Sequence, residues 1–175
     1  MSTLRPGRCY HHITQQPWTR VSKRRPRRSY VKGVPVGKIH QFEVGSKTAR
    51  TDTAKVFHLV TGQECQLRSN CLEAARQTAL RYMAKTVGET NFFMKVRVYP
   101  HHVLRENALA TGAGADRFSE GMSRPFGKPA GSAARVCVGQ KIITIWAPPG
   151  KEADARMAFN RARKKLPGMC HVVAE

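Results

Sequence analysis

Leu72, Ala75, Ala79, Leu80, Met83 and Val87 recur at helical spacing and make one apolar stripe along a segment that begins near Asn70 and stops at Gly88. A helix with one apolar side needs an apolar surface to cover it. Asn70 is placed to cap this helix, and Glu73 three residues later completes a capping-box pattern. The segments around it alternate and are rich in β-branched and aromatic residues, as strands are. Strands are expected at 38–44, 55–60 and 63–68, with Thr61-Gly62 turning between the last two, and at Phe92 to Tyr99, ended by Pro100. Ala134 to Val138 and Lys141 to Ala147 read as a hairpin turning at Gly139-Gln140. A second helix is expected from about Lys151 to Leu166, lined by Ala155, Ala158, Phe159, Ala162 and Leu166, and Met169 to Val173 reads as a closing strand. This order predicts a single α+β domain over 34–175, with two helices on a mostly antiparallel sheet.

Residues 1–33 have no such periodicity and read as a basic N-terminal arm. The chain has 31 Lys+Arg and 11 Asp+Glu over 175 residues, a formal charge of +20, and +11 of it lies in the first 50 residues. A polyanionic partner is implied. The arm's cations are Arg5, Arg8, Arg20, Lys23, Arg24, Arg25, Arg27, Arg28 and Lys32, followed by Lys38. A disordered, solubilising tail would account for such a run, as would an arm that orders against phosphates. Tyr10, Trp18 and Tyr30 favour the second reading, because rings spaced among cations can stack on unpaired bases. On the first helix Arg76, Arg81 and Lys85 fall outside the apolar stripe, where a solvated face and a phosphate-binding face are equally served.

Membrane, metal and redox roles find little support. No run approaches the roughly 18 apolar residues of a membrane span, and no apolar stretch at the start resembles a signal peptide, so a cytoplasmic protein is expected. Cys9, Cys65, Cys71, Cys137 and Cys170 are odd in number and widely spaced, which argues for free thiols rather than a disulfide framework. Cys9 with His11 and His12 is the nearest approach to a zinc pattern.

The segment 101–133 breaks the regular pattern and reads as one long internal loop, a length that a compact domain keeps for function or leaves disordered. Glycines at 112, 114, 121, 127 and 131 alternate with Arg117, Arg124 and Lys128, a composition suited to threading between RNA strands. Thr111-Gly112-Ala113-Gly114-Ala115 lacks the third glycine and downstream acid of a dinucleotide loop, and Gly127-Lys128 is followed by Pro129, not Ser or Thr. No cofactor or small-molecule substrate is expected. Cys137, Cys170, His101, His102 and Asp116 leave a nucleophilic site imaginable. Single His and Cys residues are more often structural.

The run from Pro100 to Met122, with Phe126-Gly127-Lys128-Pro129 and Ala134-Arg135-Val136, closely resembles the universal large-subunit ribosomal protein L-sixteen family in its archaeal and eukaryotic branch, L-ten-e. Tyr30-Val31-Lys32-Gly33-Val34-Pro35, Lys38-Ile39, Phe42, Leu72-Glu73-Ala74-Ala75-Arg76 and Leu166-Pro167-Gly168 extend the resemblance over most of the chain. Arg105-Glu106-Asn107 looks more archaeal than eukaryotic. The resemblance implies an α/β-hammerhead-like fold and a non-enzymatic, ribosome-associated role. Its implied partners are large-subunit rRNA, neighbouring ribosomal proteins and the acceptor ends of tRNA. It also implies that the loop from about Arg105 to Lys128 reaches toward the peptidyl-transferase centre, and that the protein joins the subunit late in assembly. The loop candidates are Arg105, Asn107, Thr111, Gly112, Gly114, Asp116, Arg117, Arg124 and Lys128. Two departures limit the carry-over: Ala108 stands where relatives often have a basic residue, and Trp18 to Arg28 is longer and more basic than usual. The rival readings are a free RNA- or DNA-binding protein and an RNA-processing enzyme using Cys137 or a histidine.

Overall fold

The structure is a computed structural model, and it describes residues 4–10, 12–13, 25, 32–50, 53–107, 122–123 and 125–175. In chain order the elements are β1 (Glu43–Gly45), β2 (Lys55–Thr61), β3 (Cys65–Arg68), α1 (Ser69–Thr86), β4 (Phe93–Val96), β5 (His102–Glu106), β6 (Lys128–Val136), β7 (Lys141–Ala147), α2 (Glu152–Arg163) and β8 (Cys170–Ala174). They form one α+β domain with antiparallel pairing throughout, in agreement with the sequence.

The strands make two sheets. A five-stranded sheet runs β1-β4-β7-β2-β8, and a three-stranded sheet runs β3-β6-β5. In the larger one, Phe57 lies opposite Ile145 and Leu59 opposite Ile143, while Met94 and Val96 flank the same two isoleucines from β4. Alternation along the strands sends this set to one face. There it joins the core with Leu72, Ala75, Ala79 and Met83 of α1 and Ala155, Ala158, Phe159 and Ala162 of α2. The predicted stripes of both helices are thus the stripes that are buried. Ile142 to Ala147 are all buried, as suits the middle strand of the sheet.

Three local expectations are corrected. β2 and β3 do not pair across Thr61-Gly62, and β6 and β7 are not a hairpin. The chain does turn at Cys137 to Gln140, where the Gln140 N–H donates to the Cys137 carbonyl at 3.2 Å. However, β6 joins β3 and β5, whereas β7 enters the centre of the other sheet, with β4 and β2 on its two edges. At α1 the N-cap is Arg68 and has no capping side chain. Asn70 accepts a bond from the Cys71 N–H, and the Glu73 carboxylate is occupied by Arg76 and Gln77. Gly88 does end the helix, at φ +92°, with its N–H on the Met83 carbonyl.

The expected long loop is shorter. His102–Glu106 and Lys128–Val136 pair as antiparallel arms, so the connection between strands covers 107–127 rather than 101–133. The register shifts between Leu104 and Arg105, where Arg105 lies opposite Pro129. Proline is tolerated at such an irregularity because the ladder there does not need its missing N–H.

Candidate nucleic-acid interface

The root of the loop is where the two sets of candidate residues meet. Glu106, the last residue of β5, faces Lys128, the first of β6. Its carboxylate accepts a hydrogen bond from the Tyr10 hydroxyl, and Arg5 lies 3.5 Å away through Nε. Arg68, at the end of β3, donates from Nη2 to the Arg5 carbonyl at 2.5 Å and stacks over the Tyr10 ring at 4.7 Å. Ile13 is buried as well. Residues 4–13, so far as they are described, are therefore fastened to the small sheet, and Arg5 shares its charge with Glu106. Burial and the carboxylate beside it push the Tyr10 phenol up to about 12.

The loop departs from this joint under tight control. Arg105 lies over the exposed Phe126 ring at 4.2 Å. A Cβ on Gly127 would come within 2.8 Å of the Glu106 backbone, so only glycine allows the arms to approach this closely. Asn107 is half-buried and Lys128 exposed. Thr111, Gly112, Gly114, Asp116, Arg117 and Arg124 lie outside the described residues.

The remaining cations divide. Arg25, Lys32, Lys38 and Arg81 are exposed. Arg20, Lys23, Arg24, Arg27 and Arg28 lie outside the described residues, as does the side chain of Arg8. Arg76 departs from expectation: only 5% exposed, it forms a bidentate pair with Glu73, Nε to Oε2 at 2.9 Å and Nη2 to Oε1 at 2.5 Å. The Arg76 hydrogen bonds hold the Glu73 carboxyl below the usual carboxylate range. A guanidinium so engaged is not presented to a phosphate. The spacing Glu73-x-x-Arg76 was the signal, since side chains three apart on a helix are neighbours.

A groove opens between the N-terminal segment, residues 35–40, the start of α1 and the β5–β6 arms. Tyr10, Val36, Lys38, Asn70 and Ser132 line it. The Ser132 hydroxyl is buried there without a hydrogen-bond partner.

Cys137 is exposed, and the thiols of Cys65, Cys71 and Cys170 are pushed up by burial, away from the reactive thiolate. The five cysteines are free thiols, and among the described residues no three His, Cys, Asp or Glu side chains could hold a metal. No described helix is long and apolar enough to cross a membrane.

Several contacts and exposed cations escaped the sequence reading. Tyr10 and Glu106 were not paired, because they are 96 positions apart. Arg161, Arg163, Lys164 and Lys165, all exposed at the end of α2, were diluted in the charge count by Glu152 and Asp154 at its beginning. Their signal was the density of the run itself.

Comparison with known proteins now connects this geometry to a family. The model of "Ribosomal protein L16p/L10e" matches residues 18–173. The chain is 47% identical to "Large ribosomal subunit protein uL16" of Methanocella arvoryzae over 98% of its own length and 94% of the relative's. It is 43% identical to the protein of the same name in Methanoculleus marisnigri, over 98% of this chain and 95% of that one. For the one in Staphylothermus marinus the identity is 44%, over 97% and 92%. With the model covering nearly the whole chain and such identities end to end, this protein belongs to the L16p/L10e family of ribosomal proteins.

Proposed function

We propose that the chain is a structural component of the large ribosomal subunit, where it binds large-subunit rRNA and directs its loop toward the acceptor ends of tRNA near the peptidyl-transferase centre. Family membership over nearly the full length carries the first part of this reading. The second part is supported by the joint at Glu106: two paired strands, a close glycine contact and the Arg5–Tyr10–Arg68 fastening give the loop a rigid root. A loop meant to act at a distance needs such a base. The protein positions RNA and enters the subunit late in assembly, within the cytoplasm and among neighbouring ribosomal proteins, and the chemistry of peptide transfer belongs to RNA. The exposed cations Lys32, Lys38 and Arg81, with the run from Arg20 to Arg28, supply phosphate contacts.

Co-sedimentation with large subunits at moderate salt tests the first part. Neutralising six to ten phosphates makes affinity for rRNA fragments fall roughly 10³- to 10⁵-fold between 50 and 200 mM salt. An affinity indifferent to salt would refute the electrostatic account. For the second part, a short glycine linker in place of residues 108–125 keeps β5, β6 and the Glu106 joint. Subunits carrying that variant should assemble yet translate poorly, and normal tRNA accommodation would overturn the loop's role.

A further inference from the structure

Part of the charge that the fold leaves unpaired lies at the far end of the helix pair. Elsewhere among the described residues, many cations have a carboxylate: Lys47 and Lys95 share Glu43, Lys55 has Glu152, Lys141 has Glu175, and Lys151 has Asp154. Arg161, Lys164 and Lys165 are exposed and have no acidic partner among the described residues. At spacings of three and four they lie on one side of α2 and its final turn.

The direction of Arg161 is fixed. The Arg161 guanidinium lies 4.3 Å from the centre of the Tyr82 ring, and the Tyr82 hydroxyl donates to Asp154 at 3.4 Å, so α1 holds the arginine from below. Lys85, one turn beyond Tyr82, is exposed on the same side of α1. The turn after α2 is tied by bonds from the Lys165 and Leu166 N–H groups to the Ala162 and Arg163 carbonyls, and Leu166 is buried. Cations near a helix C-terminus answer the helix dipole. That does not explain Arg161, which reaches across to α1 instead of toward the last carbonyls.

Tyr82 stands 13 residues after Ser69, which puts this surface about 20 Å along α1 from the Arg68 end, where the N-terminal segment is fastened. We infer that Lys85, Arg161, Lys164 and Lys165 form a second phosphate-binding surface, which takes an RNA segment separate from the one held at Lys38 beside the start of α1. The protein then braces two RNA segments across the length of α1. This rests on the rRNA-binding reading above. An RNA backbone suits the surface because a row of cations matches repeated phosphates, and Arg161 is preoriented on its ring.

The test uses the full chain and fragments of large-subunit rRNA. The triple variant R161Q/K164Q/K165Q changes exposed residues only, and unchanged thermal unfolding checks its fold. Its slope of log affinity against log salt should shrink by roughly 2 to 3, at about 0.9 per phosphate contact on a duplex. Hydroxyl-radical footprinting should show one protected segment lost, while glutamine at Lys38 removes a different one. Arg161→Lys, which keeps the charge, should retain most of the slope. An unchanged slope in the triple variant overturns the proposal. So does loss of the same segment in both variants, or a triple variant that binds rRNA normally but fails to enter subunits, which would assign the surface to an acidic protein. Failure of the unaltered chain to bind rRNA at all would sink the underlying reading instead.

Discussion

Across the five-stranded sheet, Val96, Ile143, Leu59 and Val172 form one lateral row, and Met94, Ile145, Phe57 and Ala174 form the next. Across the three-stranded sheet, a comparable row reads Arg68, Ala133 and His102. The first sheet closes a core with its own apolar side chains. The second adds Leu67, Ala134 and Val136 to the same core, and carries the polar joint of Arg5, Tyr10, Arg68 and Glu106 at its margin. Apolar burial is non-directional and tolerant, whereas a hydrogen-bonded joint holds particular atoms in place. The region that stabilises the fold and the region that positions the loop are therefore built from different forces, and substitutions separate them.

The largest effect belongs to the apolar region. Phe57 is 1% exposed, and Phe57→Ala should cost about 4 kcal/mol. For a chain of this size that lowers the midpoint of thermal unfolding by roughly 8–16 °C. A loss below about 1 kcal/mol would break the comparison, because the larger sheet would not then be the source of stability.

Glu73→Gln comes next, at about 3 kcal/mol, because it leaves the Arg76 guanidinium buried without its counter-charge. The pH dependence follows from the same pair. Arg76 lowers the folded-state pKa of Glu73, so this contribution is complete above the ordinary carboxylate pKa and is lost as pH falls through the lowered one. Denaturant titrations from neutral to acid pH should show the variant with a flatter acid limb than the parent chain. An equally steep limb would assign acid sensitivity to other carboxylates.

Gly127→Ala probes the loop root. The added methyl would meet the Glu106 backbone at 2.8 Å, so the arms must part, at a cost of about 1–3 kcal/mol confined to the small sheet. Amide exchange should accelerate in β5 and the first half of β6 and remain unchanged in β7. Acceleration in both sheets would merge the two regions into one cooperative unit.

The same division explains what was legible in the sequence. Ala75, Ala79, Met83, Ala158, Phe159 and Ala162 announced themselves because burial imposes a period that a linear pattern records. The pairing of β6 was hidden: Lys-Pro-Ala-Gly-Ser-Ala-Ala-Arg-Val contains few residues that favour strands, and its partners lie far away in the chain. Lys141 to Ala147 was recognised as a strand, but its burial on both faces, which decides its sheet, depends on β2 and β4. At the site, Lys32, Lys38 and Arg81 were legible as exposed charge. Arg76 differs from them by Glu73 one turn before it, a carboxylate that the sequence pattern assigns to a capping box. Residue type records charge, and only three-dimensional neighbours record whether that charge is free.

Tyr10→Phe should have the smallest effect on stability and is the most informative about the joint. Loss of the hydroxyl bond to Glu106 should cost about 1 kcal/mol at neutral pH, leaving the ring's contact with Arg68. The alkaline limb gives the sharper measurement. Folding pushes the Tyr10 phenol up to about 12 from an ordinary value near 10, so its contribution is complete below about pH 10 and disappears as pH rises to about 12. The phenylalanine variant has no proton to lose there, and its stability should fall less across that window. If both chains lose stability in parallel, Tyr10 does not hold Glu106 in solution, and the rigidity of the loop root must come from the Gly127 contact and the β5–β6 ladder alone.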